Sequence, residues 1–244
     1  MKSRIDKLLV ERGLALTRQK AQALILAGQV VVGDERIDKP GQLVDDAADI
    51  RTKDGGCKFV GRGGLKLEGA LEDLAIDVTG AVGLDVGSST GGFTDCLLQR
   101  GAVKMYAIDV GTNQLDWKLR RDDRVVVREG INARHLKFED VGQIVDIVVV
   151  DVSFISLELI LPNLPQFCKA HTEVLLLVKP QFEVGKGQVG KGGIVRDSAQ
   201  QKSAVEKIAK AAERYGFQVR GSVESRLTGA EGNREFFLRL HISP

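Results

Sequence analysis

Two charged side chains stand where the buried strands of a parallel sheet would deliver them to a ligand. Asp151 closes the apolar run VDIVVVDV, and Lys179 closes LLLVKP just before Pro180. Proline cannot donate to a strand ladder, so the strand stops there and the lysine emerges at its carboxyl edge. A lysine so placed is costly unless it has a task, and the task suited to it is to accept a proton from a reacting group. Burial and a second ammonium nearby would make it a usable base, while a carboxylate would orient it and act in the opposite direction. Lys66, in GRGGLKLEGAL, is the candidate second ammonium, and Glu235, in GNREFFL, is the candidate second carboxylate. A structural ion-pair network would also gather opposite charges, but strand ends beside a ligand loop are poor sites for one.

That ligand loop is GLDVGSSTGGFTDCLL, in which a strand passes through Asp85-Val86-Gly87 into a Ser/Gly turn and then a helix beginning near Gly91. Glycines let a backbone approach a ligand closely, and the bland alternative is ordinary strand-to-helix packing. The turn is not G-x-G-x-x-G, and it lacks the Lys and Ser/Thr of a phosphate loop, which disfavours both hydride carriers and nucleoside triphosphates. About twenty residues further on, the second strand ends in Asp109, placed to accept hydrogen bonds from ribose hydroxyls. A second glycine-rich stretch, GKGQVGKGG over 185–193, formally contains G-x-x-x-x-G-K, but Gly192 stands where a Ser/Thr would hold magnesium. It reads as a basic lid, an RNA-contacting loop or a plain surface loop.

The elements that must position these groups alternate. From about residue 80 the runs AVGLDV, KMYAIDV, RVVVREG, VDIVVVDV and EVLLLVKP are separated by helical segments, and FQVRGSVE and EFFLRLHI follow. Continuous Val/Ile/Leu runs of this kind predict a doubly wound α/β sheet covered on both faces, with the last pair antiparallel. The first sixty residues differ. Residues 4–12 read as an amphipathic helix stopped by Gly13, and Thr17 as the N-cap of a second helix closed by Gly28. QVVVGDERI reads as strand, Gly-Asp turn, strand, and LVDDAADIR as one further strand ending at Arg51. Arg18 and Lys20 sit in the first turn of the second helix, where cations oppose the macrodipole. An anion bound between them and the free N–H groups would reverse that sign, and a phosphate would serve. Turn formers over 52–60 predict a linker, with domains at 1–60 and 61–244.

Composition narrows the classes. Of 244 residues, 43% are hydrophobic and 28% charged, with a net charge of +2. No apolar run is long enough to span a bilayer, and the charged N-terminus lacks a signal peptide's apolar core. The expectation is a cytoplasmic protein with no membrane role. Cys57, Cys96 and Cys168 lack metal-site or disulfide spacing and read as reduced structural thiols. Any affinity for nucleic acid must come from local patches.

The string TRQKAQALILAGQVVVG in its helix, helix, small-sheet setting resembles the S-four-type RNA-binding domain. That resemblance implies RNA contact by Arg4, Arg18, Lys20 and Lys39, joined by Arg62 at the start of the next segment; the alternative is a solvated face. Residues 85–92 resemble the motif D-x-G-x-x-x-G-G of S-adenosylmethionine methyltransferases. This implies that Asp85, Gly87, Ser88, Thr90, Gly91 and Gly92 line the methionine end of the cofactor with Phe93 packed nearby, that Asp109 holds its ribose and that Asn132 lies near adenine. Asp85 could instead simply cap the turn. RGGLKLEGAL, DVGSSTGGFTD, VDVSFIS and VKPQFEVGKGQVG together resemble the TlyA (haemolysin A) family, whose catalytic domain is of the FtsJ/RrmJ 2′-O-methyltransferase type. The resemblance covers essentially the whole chain. It implies a Rossmann-like methyltransferase domain behind a small α+β RNA-binding domain, S-adenosyl-L-methionine as cofactor, no metal, and ribosomal RNA or a ribosomal subunit as partner. It also implies a catalytic tetrad of Lys66, Asp151, Lys179 and Glu235, with Lys179 as the base, Asp151 and Lys66 positioning it and the ribose, and Glu235 closing the network. A tryptophan-containing linker motif of some members is represented by Cys57-Lys58-Phe59-Val60, and the end at Pro244 matches short members, which act on a cytidine of large-subunit rRNA. Two other classes compete. One is an RNA-binding protein on an inactive methyltransferase fold, against which the intact glycines, Asp109 and tetrad speak. The other is a pore-forming haemolysin, for which there is neither a spanning helix nor a barrel pattern.

Overall fold

The computed structural model describes residues 2–12, 14–15, 17–33, 35–52, 58–185, 187–229 and 231–242. The Gly13 stop, the aspartate of the Gly33-Asp34 turn, Cys57 with most of the 52–60 linker, Lys186 of the glycine-rich loop and Pro244 lie outside those residues. The chain forms two compact units, Met1–Lys58 and Phe59–Pro244.

In the first unit the order is β1 (Lys2–Arg4), α1 (Ile5–Glu11), α2 (Arg18–Leu26), β2 (Val30–Val32), β3 (Glu35–Ile37), β4 (Leu43–Asp45) and β5 (Ile50–Thr52). The apolar faces of both helices meet the strands: Ile5, Leu9, Ala21 and Ile25 pack with Val30, Ile37 and Ile50 in one core. The Thr17 hydroxyl accepts the Lys20 amide at 3.2 Å, satisfying one of the free donors at the start of α2. Gly28, at φ +66°, ends that helix in the left-handed region. Two expectations are corrected. Arg4 precedes α1 and ends a short strand, β1, which pairs antiparallel with β4. LVDDAADIR is two strands, because the Asp45 carboxylate accepts the Ala47 amide at 2.8 Å and turns the chain. After that turn β5 joins a different sheet, ordered β3-β2-β5.

The second unit opens with α3 (Arg62–Asp73) and then alternates β6 (Val82–Val86), α4 (Gly92–Gln99), β7 (Lys104–Asp109), α5 (Trp117–Arg120), β8 (Val125–Glu129), α6 (Phe138–Val141), β9 (Val145–Val150) and β10 (Cys168–Val178). It closes with α7 (Pro180–Glu183), α8 (Ser198–Glu213), β11 (Phe217–Glu224) and β12 (Phe236–Ile242). The seven strands lie in the order β11-β12-β10-β9-β6-β7-β8. β6 to β10 are parallel, and β12 is antiparallel to both β10 and β11, as the sequence pattern predicts. Alternate residues of each strand feed opposite cores. Val148, Val150, Leu176 and Val178 pack with Ile208 and Ala211 of α8. Ile147, Val149, Leu175 and Leu177 pack with Leu67 and Leu71 of α3 and Leu97 of α4. Both faces are therefore dry, which is why the strands read as unbroken apolar runs, and each such Val or Leu contributes roughly 1.5–3 kcal/mol. Among the described residues no helix is long and apolar enough to cross a membrane.

Candidate active site

From β6 the chain winds toward β8, and from β9 toward β10, so the order reverses between β6 and β9 and opens a crevice at their carboxyl ends. The backbones touch there. The Asp151 amide donates to the Val86 carbonyl at 3.0 Å, and a Cβ on Gly87, which has φ +87°, would lie 2.3 Å from the Asp151 carbonyl oxygen. Only glycine fits that approach.

The crevice holds a cavity of about 520 Å³ whose lining includes Gly87, Asp109, Asn132, Asp151, Ser153 and Phe154. A smaller one, about 140 Å³, shares Gly87 and Asp151 and is also lined by Asp85, Ser88, Thr90, Gly92 and Phe93. Gly91 lines neither. At φ +93° its open side faces Leu115 and Leu119, so it serves the turn and the core beneath it. Asp109 is pinned by the amides of Ser89 and Gly111, both at 2.7 Å, and Asn132 caps a short 3-10 helix by accepting the Arg134 amide at 3.0 Å. Asp85 is fully buried and does cap α4, accepting from the Thr94 amide at 3.0 Å and hydroxyl at 2.7 Å. Its other oxygen, Oδ1, is buried without a partner among the described residues. Burial pushes its carboxyl up to about 7; the Thr94 hydrogen bonds work against that shift, and the Asp151 carboxylate adds to it.

These linings decide what the crevice fits. Neither includes a lysine or arginine, while Asp85, Asp109 and Asp151 contribute carboxylates. A pyrophosphate would find no cation in either lining and would face the Asp109 carboxylate. A nucleoside with a positively charged appendage meets complementary charge, and the unpartnered Asp85 oxygen supplies an acceptor for it. S-adenosylmethionine fits this donor set.

The four tetrad candidates come from four elements and form two pairs. Lys66 of α3 places Nζ 2.6 Å from Glu235 Oε2, just ahead of β12. Lys179, at the end of β10, places Nζ 2.5 Å from Asp151 Oδ1 at the end of β9. Both lysine side chains are sunk, 11% and 10% exposed. Lys66, Lys179 and Glu235 line a third cavity of about 400 Å³, which shares Ser153 and Phe154 with the crevice. Val189 and Gly193 of the glycine-rich loop also line it, so that loop borders the tetrad.

Three residues of this site escape sequence reasoning. The Ser153 hydroxyl accepts from Lys179 Nζ at 2.9 Å, fixing it from a second side. Phe154 is 91% exposed at φ +63°, with its ring centroid 5.2 Å from that of Phe182. Glu183, which is buried, ties the loop after β9 to the segment after β10: its carboxylate accepts the Ser156 hydroxyl at 2.6 Å and the Leu157 amide at 2.9 Å. Burial raises its pKa. The runs VDVSFIS and VKPQFE hold all three, but aromatic exposure and contacts across 26 residues leave no local pattern.

The basic candidates lie in both units. Arg4, Arg18, Lys20 and Lys39 are exposed in the first, and Arg62, also exposed, donates to the Thr228 carbonyl at 3.3 Å in the second. The expectation that Arg18 opposes its helix dipole unless a phosphate binds is corrected: the chain supplies its own anion, since Arg18 Nε lies 2.9 Å from Asp6 Oδ2. Among the described residues no His, Cys, Asp or Glu group forms a metal cluster. Cys96 and Cys168 are buried, and burial pushes the Cys168 thiol up to about 12.

Residues 59–241 match the FtsJ-like methyltransferase family, and residues 3–50 match the S4 domain. The chain is 47% identical over 241 residues to a Bacillus subtilis protein named as an rRNA methyltransferase, spanning 98% of this chain and 86% of that one. It is 48% identical over 240 residues to the 16S/23S rRNA (cytidine-2′-O)-methyltransferase TlyA of Mycobacterium tuberculosis, spanning 98% and 90%. A solved structure from Streptococcus thermophilus, named as a hemolysin, aligns with a TM-score of 0.78 at 44% identity, covering 99% of this chain and 89% of that one.

Proposed function

The chain belongs to the FtsJ-like methyltransferase family, in the TlyA group with an N-terminal S4 domain, and on that premise we propose that it methylates a ribose 2′-hydroxyl of ribosomal RNA. The cofactor in this reading is S-adenosylmethionine and the target a cytidine of the large subunit. The observation that carries it is the pairing of two sunken lysines with carboxylates in a cavity that shares Ser153 and Phe154 with a crevice lacking cations.

Asp109 would hold the cofactor ribose, Asn132 its adenine, and Asp85, Gly87, Ser88, Thr90, Gly92 and Phe93 its methionine end, with Gly91 setting the turn from behind. When bound, the cofactor supplies a methyl group on a positively charged sulfur. The residues of the chain do the rest. Lys179 serves as the base for the proton of the 2′-hydroxyl, while Asp151 and Ser153 hold Nζ toward it. Lys66, held by Glu235, keeps its ammonium on the same cavity to orient the ribose oxygens. The exposed ring of Phe154 offers a face on which an unstacked base rests. Arg4, Arg18, Lys20, Lys39 and Arg62 contact RNA phosphates, and the work is done in the cytoplasm.

The test is transfer of radiolabelled methyl from S-adenosylmethionine to separated, unmethylated ribosomal subunits, with digestion of the labelled RNA. Label on a large-subunit cytidine ribose, absent with Lys179→Ala, is the expected result. Label on a base, or equal labelling by the variant, would overturn the assignment of the base and the reaction.

A further inference from the structure

Among the described residues of the first unit, Asp6 has the most heavily hydrogen-bonded carboxylate side chain. It sits in the first turn of α1, wholly buried. Arg4 grips it through two parallel bonds, Nε to Oδ1 and Nη2 to Oδ2, both at 3.0 Å. Arg18 of α2 donates Nε to Oδ2 at 2.9 Å, and Gln22, one turn further along α2, donates to the same oxygen at 3.0 Å. The arginine side chains nevertheless remain 45% and 56% exposed. Among the described residues Arg18 spends only Nε, on Asp6, which leaves both of its terminal amino groups available, and Arg4 keeps Nη1. The first bond to Arg4, then those to Gln22 and Arg18, hold the Asp6 carboxyl far below the usual carboxylate range against the opposing effect of burial, so it is ionised throughout the neutral range.

We propose that Asp6 is a positioning residue that holds Arg4 and Arg18 as a preformed two-guanidinium clamp for an RNA phosphate. The inference rests on reading the first unit as the RNA-gripping one. A flexible arginine loses rotamer freedom when it closes on a phosphate, and a guanidinium already fixed through Nε has lost that freedom during folding. The two forks are carried by different elements, the end of β1 and the first turn of α2, and one carboxylate sets their relation. Two cations against one buried anion leave the cluster with an excess positive charge, and the charge faces outward. Thr17, which caps α2 and fixes its first turn, supports the same geometry.

The clamp and a merely charged patch predict opposite signs for one substitution. Asp6→Asn removes the one negative charge of the cluster and raises its net charge by one, so bulk electrostatics would tighten RNA binding; loss of the clamp would weaken it. Binding of the full-length protein to unmethylated large ribosomal subunits is measured across a salt series. With Asp6→Asn the expected result is about tenfold weaker binding and a salt slope shallower by about one phosphate contact. Unchanged or tighter binding overturns the proposal. If Asp6→Asn does not fold by circular dichroism, Arg18→Lys decides, because it keeps the charge and loses the Nε donor. That variant is expected to lose most of the affinity lost by Arg18→Ala, and wild-type affinity sinks the clamp. The Arg4→Ala/Arg18→Ala double variant separates the two layers: wild-type binding by it overturns RNA contact at this patch altogether. Weakened binding by the double variant with an unaffected Asp6→Asn overturns the clamp alone.

Discussion

Both units pair cations with carboxylates, and they differ in whether the cation is buried. In the S4 domain Asp6 is sealed from solvent while Arg4 and Arg18 stay about half exposed. In the methyltransferase domain Lys66 and Lys179 are themselves sunk, against Glu235 at 3% and Asp151 at 24% exposure. An exposed cation on a buried anchor meets a polyanion without giving up much hydration. A buried ammonium has already lost its water and is worth keeping only where it meets a reacting atom. The buried aspartates differ in the same way. Asp6 receives four donors from three residues, whereas Asp85 receives two, both from Thr94. One is a finished structural joint, and the other keeps an unspent oxygen beside a cavity.

The largest expected effect tests that difference directly. Lys179→Ala should slow single-turnover methyl transfer about 10²–10⁴-fold while leaving affinity for large subunits unchanged. A matching loss of affinity would show that the sunken lysines grip RNA as the arginines do, and the contrast between the units would be gone.

Next comes pH. The folded-state pKa of Asp85 lies above its ordinary value of 3.8, at about 7, so its stabilising contribution is complete below pH 4 and is lost as pH rises through 7. Asp6 lies below its ordinary value of 3.8, so its contribution is present above that value and is lost as pH falls beneath it. Calorimetry of Asp85→Asn against wild type should therefore show the variant gaining on the order of 2–4 kcal/mol between pH 4 and pH 7. Asp6→Asn should show its deficit shrinking below pH 4. Slopes of the same sign in the two variants would break the comparison.

Smaller effects sharpen it within the catalytic unit. Glu183→Ala strands the Leu157 amide and the Ser156 hydroxyl, and should cost about 1–3 kcal/mol in denaturant unfolding, with kcat falling more than KM rises. Glu183→Gln, which keeps an acceptor for Leu157, should recover most of both. Phe154→Ala should leave unfolding untouched, because the ring is 91% exposed, and weaken productive subunit binding by about 1 kcal/mol, read as a higher KM. A lower melting temperature in this variant would mean that the ring is packing rather than waiting for a base.

Much of this molecule was legible because its signals are local. The apolar runs from Val82 to Val178 announce buried parallel strands, Thr17 and Gly28 punctuate α2, and Gly87 marks a close approach, each within a few residues of chain. The short elements were not legible. β1 has three residues and no period to detect, and the division of β4 from β5 turns on one aspartate bonding its own neighbours. Strand ends put Asp151 and Lys179 at the ligand edge of the sheet by chain order alone, since a parallel sheet delivers every strand end to the same edge. Partnership is another matter. Lys66 meets Glu235 across 169 residues, Arg18 spends its Nε on Asp6, and Glu183 locks a loop it does not belong to. The amino-acid sequence determined the sheet, its ligand edge and the types of charge available there, because backbone hydrogen bonding and side-chain burial repeat with short periods. Only the tertiary structure decided which charges are sealed, which are paired and which face outward, because desolvation and ion pairing depend on what the rest of the chain packs around each group.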